Sequence, residues 1–128
     1  EDRINLNIVG DYDRVLLDKV LLRHILINVL TNAIKYSPSE TKVDFTISKV
    51  KRYIEFHVQD FGVGIPKNEL TNIFDPFFRA SNSEEFSGTG LGLAIVKQCV
   101  NVHGGDMTID SELNKGTLVA IQLPLRKL

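Results

Sequence analysis

Residues 28–38, NVLTNAIKYSP, close a long apolar run whose reading decides the fold. Apolar side chains recur there at helical spacing. The run predicts a helix from Asp18, whose carboxylate can accept the free amides of a first turn, to about Tyr36, with Ser37 and Pro38 ending it. At about 100° per residue, Leu22, Leu26, Val29, Leu30 and Ala33 form the stripe expected to be buried, while Asn28, Asn32 and Lys35 fall within roughly 60° of one another on another side. The asparagines are the anomaly. Asn forms helices poorly because its amide competes for backbone hydrogen bonds, and burying an unsatisfied amide is costly. Two readings fit that face. A ligand could occupy it, since an amide oxygen is a hard, neutral donor for Mg²⁺ and a lysine one turn away can hold phosphate oxygens that the ion bridges. Equally, solvent and the helix's own backbone could satisfy both amides.

Outward from this helix, alternating segments predict strands. INLNIVG and RVLLD read as one or two strands with a turn at Gly10 and Asp11 to Asp13, and VDFTISKV with YIEFHVQD reads as a hairpin around the link KVKR, one face buried. DFGVGIP is a glycine-rich loop, and a short helix is expected near Lys67 to Phe74. PFFRASNSEEFSGTG lacks periodicity and mixes aromatic, polar and small residues, as a mobile lid would. Leu91 to Val102 predicts a second strong helix, and DMTIDS and TLVAIQLP predict two more strands across a turn at Asn114 to Gly116. The expected fold class is α/β: a two-layer α/β sandwich, its sheet on one side and about three helices on the other.

With 128 residues, 43% of them hydrophobic and 24% charged, the chain is expected to be a single domain spanning residues 1–128. Fifteen basic residues against sixteen acidic ones give a net charge of -1, without the basic stripe that binding to nucleic acid or a membrane surface would need. Cys99 is the single cysteine, so no internal disulfide can form; it reads as a small buried hydrophobe and fits a reducing, cytoplasmic compartment. No apolar run reaches the roughly 18 residues of a membrane span. The chain begins at Glu1 rather than Met and is expected to be a piece of a longer protein.

Two glycine-rich segments add chemistry. In Asp60-Phe61-Gly62-Val63-Gly64-Ile65-Pro66 a carboxylate able to accept from an exocyclic amine leads into glycines that permit positive φ and close approach to a flat ligand. A surface aspartate before an ordinary turn would look the same. The DFG string does not make this a eukaryotic-type protein kinase, because no HRD or APE motif follows. Gly88-Thr89-Gly90-Leu91-Gly92-Leu93 opens the second helix and offers free amides and a positive helix end to phosphates. It is neither GxGxxG nor a P-loop.

Together and in this order, HILINVLTNAIKYSP, DFGVGIP, IFDPFFRA, SGTGLGLAIVK and NKGTLVAIQLP resemble the N box, first glycine box, F box, second glycine box and terminal strands of one family. It is the catalytic and ATP-binding domain of bacterial-type sensor histidine kinases, in the superfamily shared with gyrase, heat-shock chaperones and mismatch-repair ATPases. The resemblance covers nearly the whole chain and implies a Bergerat-type fold with a mixed sheet, and Mg²⁺ and ATP as ligands. By position it implies that Asn32 binds Mg²⁺, that Asn28 and Lys35 lie at the phosphates, and that Tyr36 lies near the base or ribose. Asp60 would bond the adenine amino group, with Gly62, Gly64 and Ile65 around it and Thr117 closing the pocket. Phe74 and Phe78 would anchor the lid, Arg79 would reach the γ-phosphate, and Gly88, Thr89, Gly90, Leu91 and Gly92 would line the phosphates.

One position divides that superfamily. Its hydrolysing members carry a glutamate one turn before the metal-binding asparagine, where this chain has Asn28, whose amide takes no proton at neutral pH. The resemblance therefore implies transfer to a histidine on a separate dimerisation domain, and through the full-length kinase to a response regulator. Neither His24, His57 nor His103 has the acidic neighbour that follows the family's phosphoacceptor, so all three are expected to be structural or solvated. The domain alone is expected to be a monomer with no membrane contact, although the parent protein could be anchored. A non-catalytic nucleotide-dependent module of the same fold is the alternative. A serine kinase of the anti-sigma type fits less well, since that family carries the glutamate.

Overall fold

A computed structural model describes residues 4–9, 19–35, 41–74 and 92–124. In chain order these form β1 (Ile4–Val9), α1 (Lys19–Lys35), β2 (Val43–Val50), β3 (Tyr53–Asp60), a 3-10 helix (Lys67–Asn72), α2 (Gly92–Val102), β4 (Asp106–Glu112) and β5 (Gly116–Pro124). The strands make one mixed sheet ordered β1-β2-β3-β5-β4. Only β1 and β2 run parallel; every other pair is antiparallel.

Strand alternation builds the core. On β3, Ile54, Phe56 and Val58 are buried, and the same period carries Asp60 onto that face at the strand's end. Val43 and Phe45 of β2, Met107 of β4, and Val119, Ile121 and Leu123 of β5 complete the layer, with the Phe45 and Phe56 rings 6.3 Å apart. Both helices cover this one face, through Ile25, Val29 and Ala33 of α1 and Val96 and Val100 of α2. The opposite face is polar: Gln122 Nε2 donates to Glu55 Oε2 at 3.1 Å, and Glu55 Oε1 lies 3.4 Å from His57 Nε2.

The two-layer α/β sandwich is therefore as expected, with three adjustments. The described helices are two α-helices and one 3-10 turn, because Lys67–Asn72 is too short and too polar on its outer side to bury an α-helical face. The hairpin link is shorter than KVKR. Lys49 and Val50 continue β2 opposite Ile54 and Tyr53, and the chain reverses over Lys51 and Arg52, with Lys51 at φ 57° in the left-handed region. On α1 the fully buried line is Ile25–Val29–Ala33, which adds Ile25 to the expected stripe and leaves Leu26 and Leu30 half-buried beside it. The expected strand RVLLD, the Asp18 cap and the lid lie outside the described residues.

Candidate functional site

The described part of the site sits where β3 and β4 end and β5 begins, on the helix-covered side of the sheet. Asp60 and Thr117 are register partners, as are Thr117 and Ser111, so three polar residues share one row at the edge of an apolar layer. Asp60 is buried, 7% exposed. Its Oδ1 accepts from the Gly62 amide at 3.0 Å and from the Thr117 amide at 3.1 Å, and no described residue bonds its other oxygen. Burial raises the Asp60 pKa above the ordinary carboxylate value, and the two amide hydrogen bonds pull the other way without reversing it. A buried, hydrogen-bonded carboxylate with a spare oxygen suits an exocyclic amine.

The backbone around Asp60 is interlocked. Asn114 N–H donates to the Val63 carbonyl at 2.8 Å, joining the loop after β3 to the turn between β4 and β5. Gly64, at φ 75°, faces the Glu112 carbonyl so closely that a Cβ would collide with it, and Gly116, at φ 126°, stands in the same relation to the Asp60 carbonyl. The glycines therefore let two protein backbones approach each other, which is a different service from room for a ligand. Of the pair Gly62 and Gly64, only Gly64 uses positive φ; Gly62 supplies an amide.

Ser111 is the residue that sequence reading missed. Its Oγ accepts from the Ile65 amide at 2.7 Å, donates to the Gly116 carbonyl at 2.9 Å, and lies 2.8 Å from Thr117 Oγ1. The signal was present in DMTIDS. There Met107 and Ile109 face the core, and the same alternation puts a hydroxyl on an apolar face.

On α1, Asn28 and Asn32 are half-buried and flank the fully buried line on one side. Asn28 Nδ2 donates to the carbonyl of His24 at 2.7 Å, so the helix's own backbone satisfies part of that amide. No group of three or more His, Cys, Asp or Glu side chains among the described residues could hold a metal ion. The single amide oxygen of Asn32 still fits Mg²⁺, which takes most of its oxygens from nucleotide phosphates and water rather than from a protein cage. Phe74 is half-buried against the core, with Lys97 Nζ 5.5 Å from its ring centroid.

Tyr36, Phe78, Arg79, Gly88, Thr89, Gly90 and Leu91 lie outside the described residues; Lys35 ends α1 and Gly92 begins α2. Of the histidines, His24 is exposed on α1, His57 lies on the polar face beside Glu55, and His103 is buried with no described partner for either ring nitrogen. A shallow hollow lined by Glu55, His57, Asp106, Thr108 and Gln122 is on the opposite side of the sheet from Asp60 and holds none of the site residues. Among the described residues no helix is long and apolar enough to cross a membrane.

Among the described residues, a mixed five-stranded sheet with both α-helices on one face and a buried carboxylate at the end of β3 defines a two-layer α/β domain of one class. The family model for histidine kinase-, DNA gyrase B- and HSP90-like ATPases matches residues 17–127, and the chain belongs to that family. It is 38% identical over 115 residues to the sensor histidine kinase WalK of Bacillus subtilis, a match spanning 87% of this chain and 19% of that protein. Against the histidine protein kinase DivJ of Caulobacter vibrioides the identity is 37% over 109 residues, 84% of this chain and 18% of that one. The chain thus spans about a fifth of the length of each of these two relatives. Among solved structures, the mycobacterial sensor histidine kinase MprB superposes with a TM-score of 0.83 at 34% identity, covering 99% of this chain and 87% of that one. Full-length ShkA in complex with AMPPNP gives 0.80 at 29% identity, over 98% of this chain and 26% of that one. The chain is therefore an ATP-binding domain of the histidine kinase type.

Proposed function

We propose that residues 1–128 are the catalytic and ATP-binding domain of a sensor kinase, acting in the cytoplasm and presenting the γ-phosphoryl group of Mg·ATP to a histidine on the parent's dimerisation domain. A response regulator would receive it from there. Asp60 and Thr117 orient the base, with Gly62, Gly64 and Ile65 shaping the floor, and Tyr36 meets the base or ribose. Asn28, Asn32 and Lys35 would address the phosphates from α1, and Gly88, Thr89, Gly90, Leu91 and Gly92 would address them as the second glycine-rich motif. Asn32 would hold Mg²⁺, which when bound neutralises charge on the phosphates. Arg79 adds positive charge at the γ-phosphate, and Phe74 and Phe78 seat the lid. Phosphoryl transfer needs little more than such positioning and charge neutralisation.

The observation that carries transfer over hydrolysis is Asn28. It occupies the position where a hydrolysing enzyme needs a base, and its amide is tied to the His24 carbonyl. The isolated domain is accordingly expected to bind ATP, to hydrolyse it slowly and not to label itself. Adding the parent's dimerisation domain in trans should give an acid-labile phosphohistidine, slowly, because the covalent link's effective concentration is lost. Radiolabelled γ-phosphate transfer at neutral pH reads all of this. Self-labelling on His24, His57 or His103, or hydrolysis at the rate of a dedicated ATPase, would refute the assignment; His57, beside Glu55, is the residue to watch.

A further inference from the structure

We propose that Ser111 is a specificity-determining positioning residue: it holds the Thr117 hydroxyl as a hydrogen-bond acceptor beside Asp60, so that the site favours a base edge bearing an amine over one bearing a carbonyl. The inference rests on reading Asp60 and Thr117 as the base-facing groups. It follows from counting protons. A serine hydroxyl has one proton to give. Ser111 Oγ lies 2.9 Å from the Gly116 carbonyl, which can only accept, so the serine proton goes there. The Ile65 amide, at 2.7 Å, can only donate, and it occupies a serine lone pair. The remaining contact, 2.8 Å between Ser111 Oγ and Thr117 Oγ1, then has one possible polarity: Thr117 donates and Ser111 accepts. Thr117 Oγ1 has no proton left for a ligand and offers lone pairs alone.

Asp60 leads to the same result. Its Oδ1 is engaged by the Gly62 and Thr117 amides, which leaves Oδ2 as an acceptor. Two acceptors therefore stand on register-paired residues of β3 and β5. A base carbonyl directed at this pair meets lone pairs from both, and the buried groups it would leave unpaired are what makes such rejection strong. A free threonine would not discriminate, because its hydroxyl turns to donate to a carbonyl as readily as it accepts from an amine. Ser111 removes that freedom.

The experiment is competition binding of ATP against inosine triphosphate, whose base carries a carbonyl where adenine carries the amine. The wild-type domain should prefer ATP by about tenfold or more. Ser111→Ala frees the Thr117 proton and should lower the preference several-fold, with folding checked by circular dichroism and thermal melting. Thr117→Val should lower it too, and adding Ser111→Ala to Thr117→Val should lower it no further, because the serine acts through the threonine. Ser111→Thr, which keeps a hydroxyl at the position, should rescue the preference. A folded Ser111→Ala domain with the wild-type ratio overturns the proposal, as does an equal further loss in the Thr117→Val background. If Ser111→Ala does not fold, a folded Thr117→Val domain with an undiminished ratio overturns it as well. Wild-type domain that binds both nucleotides equally would refute the base-site reading itself, a distinct result from wild-type preference that survives loss of Ser111.

Discussion

At the end of the sheet Asp60 is held by amides from two segments far apart in sequence, Gly62 and Thr117, whereas on α1 Asn28 bonds four residues back along its own helix. The first arrangement exists only when β3, β4 and β5 are paired and the glycine loop is locked onto the β4–β5 turn. The second needs only a helix. A site end built from interlocked backbones should fail by unfolding when disturbed, and a site end carried on one helix face should lose ligand contacts while its scaffold survives. That difference can be tested from both sides.

The largest effect is expected from Gly116→Ala or Gly64→Ala. Each puts a Cβ into the facing carbonyl, of Asp60 or of Glu112, at a positive φ. Urea unfolding should show a loss on the order of 3 kcal/mol or more, with ATP binding lost as well. Tolerance of alanine at both positions would break the comparison, since the base end would then not depend on the interlock.

Next comes Asp60→Asn, which keeps an oxygen for the Gly62 and Thr117 amides but turns an NH₂ toward the ligand's amine. ATP affinity should fall by roughly 1 to 3 kcal/mol in a calorimetric titration. Stability should move the other way. Because burial raises the folded-state pKa of Asp60, the folded domain binds that proton more tightly than the unfolded chain does. The associated stability is present at low pH and is lost as pH rises through the folded pKa, so at neutral pH the ionised carboxylate costs stability that Asn does not. The empty Asp60→Asn domain should melt higher than wild type near neutral pH. By the same sign, wild-type ATP affinity should begin to fall, on acidification, at a higher pH than an ordinary carboxylate would give, and the Asp60→Asn domain should lack that component. A lower melting temperature for the variant would show that the two amide bonds outweigh burial.

The helix end should respond more narrowly. Asn32→Ala is expected to remove the gain in ATP affinity that Mg²⁺ confers while leaving the melting temperature within a few degrees of wild type, measured by calorimetry with and without the metal. An unchanged magnesium dependence would take Asn32 out of the metal site. Smallest of all is Asn28→Ala in the empty domain. It removes the bond to the His24 carbonyl but installs a better helix former, and the net change should stay within about 0.5 kcal/mol. A larger loss by chemical denaturation would mean that the amide is structural.

Periodicity alone carried α1, β3, β4 and β5, because a buried helix stripe and a half-buried strand leave repeats of their own in the residue order. It also carried the placement of polar residues on those repeats: Asn28 and Asn32 beside an apolar line, and Asp60 at the end of one. Errors arose where the answer depended on a partner. KVKR looked like a four-residue link until pairing with Tyr53 and Ile54 drew Lys49 and Val50 into β2, and Ile25 joined Val29 and Ala33 on the covered line of α1 because the elements packed against the helix choose which line is covered.

By itself the residue order determined the elements, the family motifs and the polar side chains set against apolar faces, since all of these are local patterns. Tertiary structure alone decided that Ser111, Thr117 and Asp60 share one row and that Gly64 and Gly116 are glycine to let two backbones pass. The physical reason is distance along the chain. The Ile65–Ser111 and Thr117–Asp60 bonds join residues 46 and 57 positions apart, and no local preference encodes a hydrogen bond between groups that meet only after the strands have paired.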